Sequence, residues 1–329
     1  MDRFAEWETF VAVVEEGSLT RGAHRLGVAV SAVSRRLADL ERRLGVRLAQ
    51  RSARGVVPTA DGETYYTRCQ RLLEDARDAD NAVVPGERGL TGVVRFTAPL
   101  SFSMRHLTPL IAQFATQHPE LRLDIDMSDR VVDLTETGFD FALRIGELAS
   151  SQLKARRLCR IRSVPVAAPS YWARTSLPKT PDDLVTTDAL SYALSDTPHQ
   201  WSYTAPGLSA SAPRTLRVAP RMTVANGDFM AEMAAAGLGF TVVPSFIVDE
   251  ALREGRLEIG LPQCSWFDMH AYLVYPPGRP LPARSRAVMD ALVVALCDPP
   301  PWDVRLIDDG ILAAAPTHAA PAKEHGPAK

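Results

Sequence analysis

Residues 26–51 read LGVAVSAVSRRLADLERRLGVRLAQR, and they hold two patterns in one segment. Val33, Leu37, Leu40 and Leu44 recur at the i, i+4, i+7, i+11 spacing of a single helix face. Ser31, Ser34, Arg35, Ala38 and Arg42 fall roughly opposite, because a helix turns about 100° per residue. The first face seats a helix on a core. The second is small, hydroxylated and basic, and it carries no acid. Such a face suits close approach to a polyanion.

The flanking sequence explains how this helix is presented. Residues 2–16 place Phe4, Trp7, Phe10, Val11 and Val14 on one helix face, and Gly17 stops that helix. Ser18 offers an N-cap for a short second helix through Leu26, and Gly27 makes the next turn. Helix, short turn, helix is the helix-turn-helix arrangement, whose second helix enters the major groove of DNA. After Gly45, VRLAQRSARGVVPT alternates about a small tip at Ser52–Gly55, as a two-stranded wing would.

Thr59 can cap a long helix running to about Val84. Within it Tyr65, Cys69, Leu72, Ala76, Ala79 and Val83 keep heptad spacing, which predicts a seam for the matching helix of a second copy. The same seam could instead be spent on the helix's own domain. VPGERGLTG, residues 84–92, breaks the pattern and reads as a hinge.

Charge is distributed unevenly. The whole chain of 329 residues has a formal net charge of −2, with 46% hydrophobic and 23% charged residues, an ordinary soluble composition. Between Gly17 and Ala60, however, nine arginines face only Asp39 and Glu41, a net +7. That excess is the footprint expected of a nucleic-acid-binding surface. The first ten residues carry acids and lack the apolar stretch of a signal peptide, and no run of about 18 apolar residues predicts a membrane span. A cytoplasmic protein is expected. The four cysteines are dispersed without a C-x-x-C pair, so they read as reduced thiols.

From Val93 onward short β runs alternate with helical segments. VVRFTAP, LRLDIDM and FALRI form one set of strands; VPVAAP opens a second set that closes with MHAYLVYP and ARSRAVMDALVVALC. The alternation predicts parallel α/β sheets in two subdomains with a cleft between them. The tail from Asp298 is rich in Pro, Ala and Lys and is expected to be disordered.

Two long stretches are familiar. FVAVVEEGSLTRGAHRLGVAVSAVSRRLADLERRLGVRLAQRSARGVVPTADGETYY strongly resembles the DNA-binding domain of LysR-type transcriptional regulators. The effector half matches the same family in RFTAPLSFSMRHLTPLIAQFATQHPELRLDIDMSDRVVDLTETGFDFALRIGEL and AAAGLGFTVVPSF. The resemblance implies a winged helix-turn-helix over 1–58, a linker and dimerisation helix with its hinge over 59–88, and a two-subdomain effector domain over 89–297. That domain would resemble periplasmic binding proteins, leaving 298–329 as tail. It further implies double-stranded DNA, a small-molecule effector and RNA polymerase as partners, with the chain acting as a homodimer assembled into a tetramer. The family commonly opens its recognition helix with Ser-Gln, whereas Ala29 and Val30 stand here. Ala29 cannot cap, at about 1 kcal/mol, and Val30 can only pack on a thymine methyl where Gln would read adenine.

The candidate DNA-binding residues are Ser18, Thr20, Arg21, Val30, Ser31, Ser34, Arg35 and Arg36, with Arg51 and Arg54 in the wing. Arg35 can pair with guanine; the wing arginines suit phosphate or a narrow minor groove. In the effector half, Ser101, Phe102 and Ser103 occupy a strand-to-helix turn, and Asn226 and Gly227 the matching turn of the second set. Arg144 and Gly146 end a strand near the same rim, and Trp201 is a candidate wall. Amides and hydroxyls at such turns suit a carboxylate, so an anionic effector is expected. Helix capping by the serines, salt bridging by Arg144 and core packing by Trp201 are the alternatives. No H-E-x-x-H, Cys/His metal spacing or G-x-S-x-G motif occurs, so neither enzyme, metal nor cofactor is expected. A solute-binding receptor is the rival class, but it leaves the +7 segment unexplained.

Overall fold

The computed structural model describes residues 2–52, 55–83, 90–147, 152–195, 197–205, 213–278 and 281–313. Helix α1 (Arg3–Glu16) starts under the Asp2 carboxylate, which accepts the Phe4 and Ala5 amide hydrogens at 3.0 and 3.3 Å. It ends at Gly17 in the left-handed region, φ 58°, where glycine carries no steric penalty. In α2 (Leu19–Leu26) the Ser18 hydroxyl accepts from the Arg21 amide at 3.4 Å. Helix α3 (Val30–Leu44) begins at Ala29 with no side-chain cap, as the residue change there requires. The wing follows as an antiparallel hairpin, β1 (Ala49–Ser52) and β2 (Gly55–Pro58), in the register Ala49 to Pro58.

Val33 and Leu40 of α3 are fully buried, so the apolar face of the opening segment is the inward one. Leu40 packs with Phe10, Val11 and Leu48, while Val33 packs with Val13 and Ala23. The linker helix α4 (Ala60–Val83) is capped by the Thr59 hydroxyl, which accepts from Gly62 N–H at 3.0 Å. Gly62 is required there: a Cβ would sit 1.9 Å from the Leu48 carbonyl oxygen, so α4 lies backbone to backbone on the segment entering β1.

The predicted seam of α4 divides. Cys69 is buried among Phe10, Leu40 and Leu73, and the Tyr65 ring lies tilted against Phe10 at 5.8 Å while its hydroxyl accepts from Trp7 Nε1 at 2.9 Å. These two positions are spent on the helix's own domain, because α1 packs along that stretch of α4. Leu72 remains 45% exposed, Ala76 is half-buried and Ala79 exposed. The side chain of Val83 and the hinge at 84–89 lie outside the described residues.

The effector half opens with β3 (Gly92–Ala98), which runs into a helix in three parts: α5 (Leu100–Phe102), a π-helical turn (Ser103–Leu107) and α6 (Thr108–Gln117). Then come β4 (Leu121–Met127), α7 (Leu134–Thr137), β5 (Phe141–Gly146) and β6 (Lys154–Ile161). The second subdomain holds β7 (Ser163–Ala167), α8 (Pro169–Thr175), β8 (Ala189–Tyr192), β9 (Gln200–Thr204), β10 (Arg214–Arg217) and β11 (Pro220–Val224). It continues through α9 (Gly227–Ala235), β12 (Thr241–Pro244), α10 (Ser245–Arg253), β13 (Glu258–Ile259) and β14 (Ser265–Trp266). The chain returns to the first subdomain with β15 (Met269–Tyr275) and α11 (Ala283–Ala295).

The first sheet has the order β4-β3-β5-β15-β6. Its β4, β3 and β5 are parallel because helices carry the chain back between them; β15 enters antiparallel to both β5 and β6 on its return. In the second subdomain β11 and β8 pair in parallel and Ala189 bridges Phe240 in parallel, while β12-β7-β13 and β10-β9-β14 are antiparallel. The expectation of parallel sheets is therefore corrected to mixed ones. A second correction concerns the tail. A further helix, α12 (Pro301–Asp308), follows α11, and its Trp302 is fully buried in the main core. The Pro-Ala composition downstream hid one well-anchored tryptophan. Residues 314–329 lie outside the described residues.

Candidate nucleic-acid interface and effector cleft

The outward face of α3 presents Val30, Ser31, Arg35 and Ala38 exposed, with Ser34 half-buried. Val30 is 42% exposed at the first turn, an apolar group left in solvent. Arg35 makes no hydrogen bond or ion pair among the described residues, so its guanidinium is available to a partner. Arg42, placed on the same face by periodicity, is held by Asp39 at 2.6 Å. Arg36 leans back toward α1, with its guanidinium 3.5 Å from the Thr9 hydroxyl. Thr20 is exposed, and Ser18 is the cap of α2. Arg54 and the side chain of Arg51 lie outside the described residues; the Arg51 backbone pairs with Val56 in the wing.

The +7 excess is partly neutralised by acids outside its sequence window. Arg43 donates to the buried Glu6 carboxylate at 2.6 and 3.2 Å, Arg25 to Glu15 at 2.5 Å, and Arg21 to the Glu16 backbone carbonyl. Arg21 Nε also lies 3.7 Å from the Glu16 carboxylate. All three acids belong to α1. Among the described residues, Arg35 on the face of α3 and Arg47 at the entry to the wing make no side-chain hydrogen bond or ion pair, and Arg36 meets only the Thr9 hydroxyl and no acid.

In the effector half, the two turns predicted to face each other are joined by an ion pair. Arg105, in the π-helical turn, donates through Nε to Asp228 in the first turn of α9 at 2.6 Å. The contact spans 123 residues and links the two subdomains. Asp129 sits beside them and accepts the Leu100 amide hydrogen at 3.3 Å; burial pushes its carboxyl above the usual range. Tyr192, at the end of β8, is pushed up to about 12 by burial and by the negative charge of Asp129. Arg105, Asp129, Asp228 and Tyr192 were not found from sequence, because nothing local marks pairings over such separations.

Ser101 and Ser103 are both buried, and neither hydroxyl caps the start of α5, which begins at Pro99 without a side-chain cap. The Ser103 hydroxyl has no hydrogen-bond partner among the described residues. Phe102, between them, points into the core against Phe246 and Trp302 rather than into the cleft. Asn226 caps α9, accepting the Phe229 amide hydrogen at 2.9 Å. Gly227 is a packing position, since a Cβ would lie 2.6 Å from Ile247 Cδ1. Arg144 donates to the backbone carbonyls of Arg130 and Val132 at 3.0 and 3.1 Å, holding a loop and pairing with neither Asp140 nor Glu147. Gly146 ends β5 at φ 140°. Trp201 lies in the second subdomain's core, edge-on to Phe240 at 5.4 Å.

A model of the bacterial regulatory helix-turn-helix protein of the lysR family matches residues 4–63, and one of the LysR substrate binding domain matches residues 87–296. The chain belongs to the LysR family of transcriptional regulators. The curated regulator CrgA of Neisseria meningitidis is 31% identical over 88% of this chain and 96% of its own length. An uncharacterized HTH-type transcriptional regulator of Haemophilus influenzae is 30% identical over 86% of this chain and 97% of its own. The solved structure of CrgA superimposes with a TM-score of 0.57 over 89% of this chain and 98% of that one. The full-length Vibrio cholerae virulence activator AphB, 26% identical, gives 0.56 over 90% and 100%.

As a LysR-type regulator the protein binds DNA and a small-molecule effector, acts as an oligomer, and is not an enzyme. The rival reading as a free-standing solute receptor falls with the helix-turn-helix match. Among the described residues no helix is long and apolar enough to cross a membrane.

Proposed function

We propose that this LysR-type regulator reads its operator with Ser31, Ser34 and Arg35 in the major groove. In this reading Arg47 and the wing contact phosphate, and the response is set by a small carboxylic acid bound between the Ser101–Arg105 turn and the start of α9. The regulator works in the cytoplasm as a homodimer paired into a tetramer and acts on RNA polymerase at its promoter. The observation that carries the effector reading is the Arg105–Asp228 pair at 2.6 Å. A carboxylate entering the cleft can take Arg105 from Asp228 in a bidentate grip, exchanging one charge-assisted contact for another. The adjacent partnerless Ser103 hydroxyl supports a polar ligand at this turn.

Asp129 and Asp228 favour a second reading, in which an amine is the effector. The two are separated by a thermal-shift panel of small carboxylates and small amines on the full chain. On the first reading a carboxylate raises the melting temperature, Arg105→Ala abolishes the shift, and Asp228→Asn enlarges it by removing the nearer of the two acids beside the guanidinium, Glu250 being 4.0 Å away. Stabilisation by amines alone, lost in Asp228→Asn, replaces the first reading with the second.

A further inference from the structure

The LysR substrate-binding match ends at residue 296, yet α12 lies beyond it and is built into the effector domain. Trp302 is the anchor. Its ring meets Phe102 edge-on at 5.6 Å, lies 4.4 Å from the His106 ring and 5.9 Å from Phe246. Phe102 stands between Ser101 and Ser103, and His106 follows Arg105, so the tryptophan packs directly behind the turn that carries all three. His106 Nε2 donates to the Phe246 carbonyl at 3.1 Å, tying the same turn to α10.

Polar contacts fix α12 from the other side. The buried Asp303 carboxylate accepts from the Ser245 hydroxyl at 2.7 Å, Arg305 pairs with Asp249 at 2.6 Å, and Arg253 pairs with Asp309 at 2.5 Å. Arg162 closes the segment by donating to the Ala313 carbonyl at 2.9 Å. Ser245, Asp249 and Arg253 belong to α10, which follows β12 of the second subdomain. The helix therefore grips one element from each subdomain. The π-helical turn it backs has longer, weaker backbone pairing than an α-helix and depends on such support to hold one geometry.

We propose that α12, through Trp302, is a positioning element for the effector-facing turn, residues 99–107. It holds the Ser101 and Ser103 hydroxyls and the Arg105 guanidinium in place without itself touching ligand. The inference rests on the reading that this turn faces the effector, but its test does not need the effector. Hydrogen exchange of the full chain is compared with Trp302→Ala, Trp302→Phe, Ser245→Ala and a chain ended after Pro300; a chain ended after Ala313 is the control.

Loss of the aromatic contact should speed exchange of amides 101–107 about tenfold in Trp302→Ala and in the shorter chain. Trp302→Phe should restore most of the protection, Ser245→Ala should show an intermediate gain, and the control should match the full chain. Exchange in β7 and in the helix-turn-helix, and affinity for operator DNA, should stay unchanged. Unchanged exchange at 101–107, or an equal rise throughout the effector domain, would overturn the proposal. Failure of the cleft reading shows up elsewhere, as full promoter response in the Ser101→Ala/Ser103→Ala double variant.

Discussion

Arg35 and Arg43 contribute equally to a charge count, yet they do different things. Arg35 is exposed on the reading face with no acid beside it, and Arg43 is spent on the buried Glu6. Arg35→Ala should weaken specific operator binding by about 1–3 kcal/mol while leaving the melting temperature alone, as a competition mobility-shift titration would read. Arg43→Ala should do the reverse. It strands the Glu6 carboxylate in a buried site, at about 1–3 kcal/mol of stability in a urea melt, with little effect on operator preference. Helical spacing in the sequence separated inward Val33 and Leu40 from outward Ser31 and Arg35. It could not say which arginines are neutralised, because Glu6, Glu15 and Glu16 precede the basic window in sequence and lie against it in space.

At the scale of elements, caps and periodicity were legible wherever the decisive contact is local. Ser18, Gly27, Gly45 and Thr59 mark boundaries that the structure keeps within a residue or two. The heptad of α4 was legible as a pattern but ambiguous as to partner, since an apolar seam is the same whether α1 or another copy covers it. The structure now splits the prediction. Leu72→Glu should dissociate the oligomer in sedimentation while circular dichroism stays native, whereas Cys69→Glu should unfold the helix-turn-helix domain outright.

Helix α12 was missed because its packing depends on a single tryptophan and on pairings over more than fifty residues. Its contact with His106 has a pH consequence. Burial, chiefly, holds the His106 imidazole below its ordinary value, with the hydrogen bond to the Phe246 carbonyl and then Asp249 opposing that shift and Arg305 and Arg105 adding to it. The folded state thus disfavours the proton. Stability is fully present above the unfolded value near pH 6.5 and falls as pH drops below it towards the folded value. Between about pH 7.5 and about pH 5.5 the effector domain should lose more melting temperature than His106→Phe does. Equal losses would show that this histidine does not govern the acid limb.

Across the whole molecule, two subdomains were legible from the alternation of strands and helices. The groups that meet between them were not. Arg105 and Asp228 meet only because the turns after β3 and β11 are brought face to face, and nothing near either residue announces it.

The close approach at Gly62 has a mechanical consequence. With a glycine seated against the Leu48 carbonyl, α4 cannot turn about its own axis without carrying the wing and α3 along. The linker and the reading head move as one lever. Its 24 residues span about 36 Å, so a tilt of about 10° at the hinge end displaces the far end by about 6 Å. That is close to two base-pair steps along the duplex. In an oligomer whose reading helices must meet half-sites at fixed spacing, a small reorientation of the effector domains becomes a change of register or a bend in the DNA between them.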